Sequence, residues 1–484
     1  MEQVTGHWID GYERPSANGQ WFEVLDPGDG SPVGKAARGG AEDVRAAIAA
    51  ARKALTAPSW AGVDPAQRGR WLLRLGQLIE RDRDRLAGLL ARENGKPLGD
   101  AKGEISVAAR YCEFFAGYAD KLDGREIPLP GGEFAVTRRE PVGVVAHIIP
   151  WNYPVDILLR GAAPCLAAGN TVIAKPARDT PLSSLEIARL ATEAGFPAGV
   201  FNVVLGYGSE AGDALIHSRD LDGLVFCGSA EVGQDVLKAA ASTLVPVLSL
   251  ELGGKAPCLV LSDGDALRAA SGCANGIIHN SGQSCGCRSR LIVPASQLAA
   301  VTKVVKEIFR QVALGHSHSG ARMGPLVNFR QREEVLAAIA RGKNEGARLE
   351  FGGEVPVDAS LAKGSFLTPA VFTGVETHMS LAQQEIFGPV LAILTYPDGD
   401  EEAALALAND TVYGLSAELW TQDPGKAIAF ARRLNSSHVT VNGSGGFGIE
   451  VPFGGIGFSG FGREGGIESL LAYTRVKSLF LRTR

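Results

Sequence analysis

The sequence predicts a two-lobed α/β protein. Short apolar runs alternate with helix-like segments between residues 142 and 261, and a second alternation follows Cys285. Strands that are apolar along their whole length are buried on both faces, which is typical of a mostly parallel sheet covered by helices. Two such alternations predict a cleft between two lobes. The predicted strands cover residues 142–149, 171–174, 201–205, 223–226, 245–250, 257–261, 291–293, 390–396 and 439–442.

Helical periodicity dominates the amino-terminal part of the chain. Residues 41–55 are rich in alanine, and residues 65–93 repeat apolar side chains at helical spacing. Pro65 suits the first turn of a helix, where its missing N–H is not needed. Between the strands, residues 182–194, 209–217 and 231–241 are predicted helices, and glycine turns crowd residues 443–466.

Length and composition indicate a globular protein of about three domains, since the chain has 484 residues and a domain has roughly 150. The formal net charge of -5, without a basic arm, argues against nucleic acid or an anionic membrane as a partner. The start of the chain lacks the features of a signal peptide, and no run reaches the ~18 apolar residues of a membrane span. Seven sparse cysteines fit free thiols in a reducing compartment, so we expect a cytoplasmic protein.

The most informative residue is Cys285, which stands among small and flexible residues between Gly282 and Gly286. A thiol on such a bend can be reached by a substrate, whereas a packed core cysteine cannot. With a carboxylate base and an amide donor for a developing oxyanion, it would be a catalytic nucleophile.

The chain supplies a candidate for each of these groups. Glu251 follows an apolar run and precedes Gly253 and Gly254, so its side chain can project into a cleft; a surface acid before a turn is the alternative. Asn152 stands between Pro150 and Pro154, which fix the backbone as a preorganised oxyanion donor requires; a rigid turn is the alternative.

Two further segments suggest a nucleotide site. Lys175 ends a predicted parallel strand, at the edge where open α/β sheets bind ligands, unless it is a solvated loop lysine. The segment from Gly228 through Ser229 to Gly233 joins a strand to a helix and offers free backbone N–H groups to a pyrophosphate, although a plain helix cap fits equally well.

Three other patterns carry less weight. Residues 455–460 match the dinucleotide fingerprint G-x-G-x-x-G but follow no clear strand, so we reject them as a nucleotide site. Residues 282–286 match the serine-hydrolase elbow G-x-S-x-G, which makes a hydrolase the alternative from another reaction class. The preceding residues 269–279 resemble a helix rather than the strand that an elbow requires. Cys285 and Cys287 lack a second ligand pair, so we expect no metal site.

Taken together, these segments closely resemble the aldehyde dehydrogenase superfamily over nearly the whole chain. The amide, the acid and the thiol occur in the family's order and at its usual separations. The matching motifs are Pro150-Trp151-Asn152-Tyr153-Pro154, Ala168-Gly169-Asn170-Thr171-Val172, Lys175-Pro176, Phe226-Cys227-Gly228-Ser229, Leu250-Glu251-Leu252-Gly253-Gly254-Lys255, Gly282-Gln283-Ser284-Cys285, Glu385-Ile386-Phe387-Gly388-Pro389, Pro452-Phe453-Gly454-Gly455 and Ser459-Gly460-Phe461-Gly462-Arg463-Glu464.

This resemblance implies NAD(P)-dependent oxidation of an aldehyde to a carboxylic acid. Cys285 would attack the carbonyl, Asn152 and the Cys285 N–H would hold the oxyanion, and Glu251 would activate water to hydrolyse the thioester. A glutamate at Glu251 argues against coenzyme A–acylating relatives, which generally lack this base. The residues implied to contact the cofactor are Ile149, Trp151, Lys175, Gly228, Ser229, Gly233, Leu252, Glu385 and Phe387.

The implied architecture has three parts and forms a homodimer or homotetramer. A Rossmann-type cofactor domain would comprise residues 1–119 and 142–253, and an α/β catalytic domain residues 254–458. A small β oligomerisation segment would combine residues 120–141 with residues 470–484.

The chain departs from the family's pattern at the cofactor and in the substrate tunnel. Arg178 stands where a glutamate commonly grips the ribose hydroxyls of NAD, and a guanidinium could bind the 2′-phosphate of NADP, unless it points to solvent. Arg160 stands where tryptophan is frequent, and His279 where phenylalanine is common. Arg160 predicts a semialdehyde or another polar aldehyde, while a benzaldehyde-type or broad substrate range remains the alternative. Tyr153, Phe447 and Phe453 would complete the walls of the tunnel.

Overall fold

The computed structural model describes residues 4–130, 133–244, 247–443 and 448–482. Two large sheets, each mostly parallel and flanked by helices, form the body of the chain. The α/β class predicted from the alternating apolar runs is therefore confirmed.

The first large sheet has eight strands, of which five form a parallel centre. Every residue of the strand Thr171–Pro176 is buried, which explains its unbroken apolar pattern. In spatial order the strands are β20 (Gly460–Phe461), β12 (Val247–Glu251), β11 (Gly223–Cys227), β8 (Val144–Ile149), β9 (Thr171–Pro176), β10 (Phe201–Val203), β2 (His7–Ile9) and β3 (Tyr12–Arg14).

The second large sheet has seven strands and is parallel except for the antiparallel edge pair of β15 with β16. In spatial order the strands are β15 (Arg348–Phe351), β16 (Ala370–Thr373), β17 (Val390–Tyr396), β14 (Arg290–Pro294), β13 (Pro257–Val260), β18 (Ser416–Trp420) and β19 (His438–Val441).

Two three-stranded sheets complete the strand inventory of the described residues. One joins β1 (Val4–Thr5), β5 (Pro32–Ala37) and β4 (Trp21–Leu25). The other is antiparallel and joins β21 (Thr474–Leu481), β7 (Phe134–Pro141) and β6 (Glu126–Pro128), so the carboxyl-terminal strand pairs with a segment more than 330 residues earlier.

Helices cover both large sheets, and α5 packs against α3 and α6 beside the first of them. The helices are α1 (Ala41–Thr56), α2 (Pro58–Ala61), α3 (Pro65–Arg81), α4 (Arg83–Asn94), α5 (Leu98–Ala116), α6 (Pro154–Ala167), α7 (Pro181–Ala194), α8 (Asp213–Ile216), α9 (Ala230–Thr243), α10 (Ala266–Ile278), α11 (Leu298–Arg310), α12 (Phe329–Asn344), α13 (Ser380–Gln383), α14 (Glu401–Asn409), α15 (Pro424–Ala431) and α16 (Gly466–Ala472).

Two helix predictions need correction. Residues 65–93 form two helices, because the chain leaves helical geometry at Asp82 (φ -97°, ψ 9°) between α3 and α4. Residues 209–217 are not one α-helix, since Gly208–Gly212 forms a π-helical turn before α8. None of the helices in the described parts of the chain is long and apolar enough to cross a membrane.

Candidate active site

The predicted nucleophile lies on a sharply turned segment after α10. The φ angles of Asn280, Ser281 and Gly282 are 46°, 55° and 72°. These values lie in the left-handed region, which residues other than glycine rarely adopt. The Ser281 hydroxyl donates to the Gly324 carbonyl at 2.8 Å, which helps to hold this strained turn. The turn reverses the chain and places Cys285 beside the first sheet.

Gly254 brings the cysteine segment against the loop that carries Glu251. A Cβ atom at position 254 would lie 2.4 Å from the Cys285 carbonyl oxygen, far closer than atoms can approach. Only glycine allows this contact, so the strand end at β12 and the cysteine segment lie directly against each other.

The Cys285 thiol is partly exposed and lines a cavity of about 1240 Å³. Burial among neighbouring groups raises the pKa of this thiol to about 12, although the positive charge of Arg160 acts in the opposite direction. The thiol is therefore protonated at neutral pH in this state, and a nucleophilic role requires that its proton be removed.

The Asn152 side chain is buried and fixed by the cysteine segment. Its Nδ2 atom donates to the Gln283 carbonyl at 3.2 Å, and Gln283 Nε2 in turn donates to the Asn280 carbonyl at 3.0 Å. An amide nitrogen carries two hydrogens, so a second donor remains for an oxyanion. The geometry thus joins the predicted amide donor to the segment that bears the thiol.

Glu251 ends β12 with a buried carboxylate. Its Oε1 accepts a hydrogen bond from the Ser249 hydroxyl at 3.4 Å, while Oε2 has no hydrogen-bond partner within the described ranges. Burial, reinforced by the negative charge of Glu464, raises the pKa of Glu251 well above its ordinary value. Such a carboxyl group holds a proton more readily than an exposed one, which suits a residue that accepts a proton as a general base.

Four of the five predicted substrate residues line the same cavity as Cys285: Tyr153, Arg160, His279 and Phe453. The Tyr153 and His279 rings stack with centroids 6.3 Å apart, and His279 Nδ1 lies 3.2 Å from Asp100 Oδ2. The fifth, Phe447, lies outside the described residues.

Arg160 lines the cavity, but its positive charge is paired with a carboxylate. Its Nε atom lies 2.5 Å from Glu464 Oε2, and its guanidinium lies 5.4 Å from the centre of the Phe453 ring. Glu464 was assigned no role from the sequence, although it belongs to one of the matching motifs. Its partner is 304 positions away in the chain, so no local pattern could connect the two.

The predicted cofactor residues gather at the carboxyl ends of β8, β9, β11 and β12. Lys175 is buried, donates to the Pro176 carbonyl at 2.9 Å, and has a pKa lowered to about 8 by that burial.

Ser229 caps α9 by accepting from the Val232 N–H at 3.4 Å. A Cβ atom at Gly233 would lie 2.6 Å from a methyl group of Leu252, so a larger residue there would force the Leu252 side chain to move. Ile149 is buried at the end of β8, and Gly228 precedes Ser229.

Two further predicted cofactor residues, Arg178 and Glu385, have charged side chains. The Arg178 side chain is 54% exposed, lies 3.8 Å from Asp179 and stands 5.4 Å from the Tyr207 ring. Glu385 Oε1 accepts from the Gly254 N–H at 2.9 Å, and burial raises the pKa of Glu385 to about 7. Phe387, with φ 53°, packs edge-on against Trp151 at 5.2 Å.

This donor set fits a nicotinamide dinucleotide. The start of α9 with Ser229 and the ammonium of Lys175 can bind phosphate or hydroxyl oxygens, and the Glu385 carboxylate can accept from ribose hydroxyls. Across the described ranges, no group of three or more His, Cys, Asp or Glu side chains is arranged to hold a metal ion.

The structure also bears on the two competing motifs. The helix α10 precedes residues 282–286, so the strand that a serine-hydrolase elbow needs is not there. The glycines at 455–460 lead into β20, which runs antiparallel to β12 and does not open a β–α–β unit.

Comparison with known proteins agrees with this geometry. Residues 14–479 match the model of the aldehyde dehydrogenase family. Human aldehyde dehydrogenase 1A1 is 40% identical over 487 residues, covering 99% of this chain and 95% of the relative. The NAD+ complex of an aldehyde dehydrogenase from Bacillus cereus has a TM-score of 0.96 at 37% identity, covering 100% of this chain and 97% of the other. An indole-3-acetaldehyde dehydrogenase structure with NAD+ also has a TM-score of 0.96, at 36% identity over 100% and 97% of the two chains. The chain belongs to the aldehyde dehydrogenase family.

Proposed function

We propose that the protein oxidises an aldehyde to a carboxylic acid with a nicotinamide cofactor, without transferring the acyl group to coenzyme A. The observation that carries the proposal is the convergence of Cys285, Asn152 and Glu251. Each comes from a different segment, and the contacts of Gln283 and Gly254 bring the three together.

The reaction begins when the Cys285 thiol gives its proton to solvent water and the sulfur bonds to the carbonyl carbon. The resulting oxyanion accepts from the free Asn152 amide hydrogen and from the Cys285 N–H. A nicotinamide group bound at this surface would supply the acceptor for the hydride that leaves the same carbon. The acyl group remains on sulfur as a thioester. Glu251 removes a proton from water, the hydroxide displaces the sulfur, and the acid departs as the thiol is regenerated.

The cofactor can be NAD or NADP. The named structural relatives contain NAD+, which supports nicotinamide binding at this surface. The exposed guanidinium of Arg178 can turn toward a 2′-phosphate, because it makes only a long 3.8 Å approach to the Asp179 carboxylate. Its position supports acceptance of NADP.

The cavity favours an aromatic aldehyde over one that carries a carboxylate. Arg160 is a poor anchor for a substrate carboxylate, because Glu464 already pairs with it and Asp156 lines the same cavity. Tyr153 and Phe453 make part of the cavity wall aromatic, so an aromatic substrate can pack beside them. The relative named as an indole-3-acetaldehyde dehydrogenase agrees with this preference.

We further propose self-association through the sheet of β21, β7 and β6. The edge strand β21 exposes Val476 and Phe480 on one face and Leu479 and Leu481 on the other, so its apolar side chains are available to a partner. On this basis residues 120–141 and 470–484 act as the oligomerisation segment, residues 1–119 and 142–253 as the cofactor domain, and residues 254–458 as the catalytic domain. The seven free cysteines suit a reducing compartment such as the cytoplasm.

The decisive experiment follows the near-ultraviolet absorbance of the reduced cofactor with a panel of aldehydes and each nicotinamide cofactor. We expect turnover with an aromatic aldehyde such as phenylacetaldehyde, and at least about tenfold lower kcat/KM with succinic semialdehyde. Ester hydrolysis without cofactor reduction for any aldehyde would refute the proposal in favour of a hydrolase. A reversed order of the two substrates would refute only the aromatic preference.

A further inference from the structure

We propose that the buried ion pair of Lys96 and Glu104 is a positioning device that fixes the oxyanion donor Asn152. The inference rests on the proposed function, because it concerns how the amide acts on the substrate. Neither residue lies in the cavity, and neither belongs to the motifs from which the site was predicted.

Lys96 is held in place from three directions. Its side chain is 1% exposed and its ammonium group pairs with Glu104 Oε2. It also donates to the Asn152 carbonyl at 2.7 Å and stands 4.5 Å from the centre of the Tyr153 ring. The three hydrogens of the ammonium group are therefore matched by three partners: the Glu104 carboxylate, the Asn152 carbonyl and the Tyr153 ring.

Glu104 fixes the other end of the same turn. Its Oε1 accepts from the Val155 N–H at 2.9 Å and from the Asp156 N–H at 3.3 Å, which are unpaired donors at the start of α6. The carboxylate therefore holds the residues that follow Asn152, while its partner Lys96 holds the carbonyl of Asn152 itself.

Neighbouring amides complete the clamp. Asn280 Nδ2 donates to the Asn152 carbonyl at 3.0 Å, and Asn94 Nδ2 donates to the Trp151 carbonyl at 2.7 Å. The backbone of the turn is thus fixed from α4 and α5 on one side and from the cysteine segment on the other.

Stability alone does not account for such a pair. Removing two charges from water is costly, and apolar residues of similar volume often replace a buried ion pair without loss of stability. Among the described residues, the other hydrogen bonds of the two charged groups and the ring contact of Lys96 fall on residues 152–156. Because a displacement of about 1 Å can cost about 100-fold in rate, the geometry points to positioning of the amide.

The test replaces the pair by the neutral combination Lys96→Met with Glu104→Gln in the full-length protein. Two reactions of Cys285 are compared. Acylation by 4-nitrophenyl acetate forms an oxyanion, whereas alkylation by iodoacetamide does not, and neither needs the cofactor. We expect acylation to slow by about 10- to 100-fold and alkylation to change by less than about threefold. Should the neutral pair fail to fold, Glu104→Gln alone is expected to lower acylation selectively by a smaller factor.

A double-mutant cycle with Asn152→Ala separates positioning from general damage. If Lys96 and Glu104 act through the Asn152 amide, the neutral pair has little further effect on acylation once that amide is gone. A full additional loss in the Asn152→Ala background, or equal losses in acylation and alkylation, would overturn the inference.

Glu93 provides a matched control. Its buried carboxylate accepts from the Leu182 N–H at 2.8 Å and the Ser183 N–H at 3.0 Å at the start of α7, as Glu104 does at α6. Glu93→Gln is expected to leave the ratio of acylation to alkylation unchanged. A shift in that ratio as large as that of the neutral pair would contradict the inference. If the unsubstituted protein oxidises no aldehyde, the proposed function fails instead, and the acylation ratio still tests the positioning.

Discussion

Arg160 and Glu464 form a buried ion pair on the wall of the cavity that contains Cys285, with Nε and Oε2 2.5 Å apart. Glu251 lies in the field of both charges, since Glu464 raises its pKa and Arg160 lowers it. The pair therefore modifies the effect of burial, which is the largest cause of the raised pKa of Glu251.

Changing Glu464 to Gln should shift the pH dependence of thioester hydrolysis. Loss of a negative neighbour lowers the pKa of Glu251, so the ionised base forms at lower pH. We expect the acidic limb of kcat to move to lower pH than in the unsubstituted protein. Arg160→Met should move the same limb to higher pH. If both variants moved it in one direction, the electrostatic account would be wrong.

Changing Cys285 to Ser should abolish aldehyde oxidation, with kcat/KM lower by at least about 1000-fold, because a hydroxyl is a far weaker nucleophile than a thiolate. Cofactor binding, followed by protein fluorescence, should be retained. The control is Cys287→Ser, whose sulfur lies 3.7 Å from the Gly276 carbonyl and has no assigned role in the chemistry. This variant should keep activity within about threefold. Substantial turnover by Cys285→Ser would remove the basis of the proposed mechanism.

Changing Arg178 to Glu should select against NADP. A carboxylate at this exposed position repels a 2′-phosphate, whereas the guanidinium can pair with it. We expect kcat/KM for NADP to fall by about 10- to 100-fold, with the value for NAD within about threefold. Arg178→Gln, which removes the charge without reversing it, should give an intermediate loss. A role for Arg178 would be refuted if the unsubstituted protein strongly preferred NAD and Arg178→Glu left that preference unchanged.

The affinity for NADP should fall as the pH rises above about 8. Burial lowers the pKa of Lys175 to about 8, so its positive charge is present below that pH and lost above it. Because a phosphate favours the charged form, the Kd for NADP should rise by up to about tenfold per pH unit above this value. Titration calorimetry across this range provides the measurement. The Kd for NAD should depend less steeply on pH. The Lys175→Met variant should bind NADP more weakly, and its Kd should not change with pH in this range. If the pH dependence persisted in that variant, another group would be responsible for it.

The sequence predicted the elements whose apolar pattern is dictated by burial. The strand at residues 390–396 was predicted with its observed bounds, because both of its faces are covered. The split between α3 and α4 was missed, since Asp82 is neither glycine nor proline and stands in a run of alternating charges that fits an uninterrupted helix equally well.

In the candidate site, too, local sequence patterns predicted some residues and missed others. Asn152, Glu251 and Cys285 stood out because turn residues surround them, and the structure brings all three together. Lys96 and Glu104 could not be recognised, because a buried charge looks like a solvated one until its tertiary partners are known. The pairing of Arg160 with Glu464 was hidden for the same reason.

The thiol comes from the segment that leads into the second sheet, whereas the amide and the acid come from strand ends of the first. The proposed reaction therefore needs residues from both large sheets, and a fragment that carries one sheet alone would lack either the thiol or the amide and the acid. A recombinant that exchanges one half would have to preserve the close approach at Gly254, where the two segments meet.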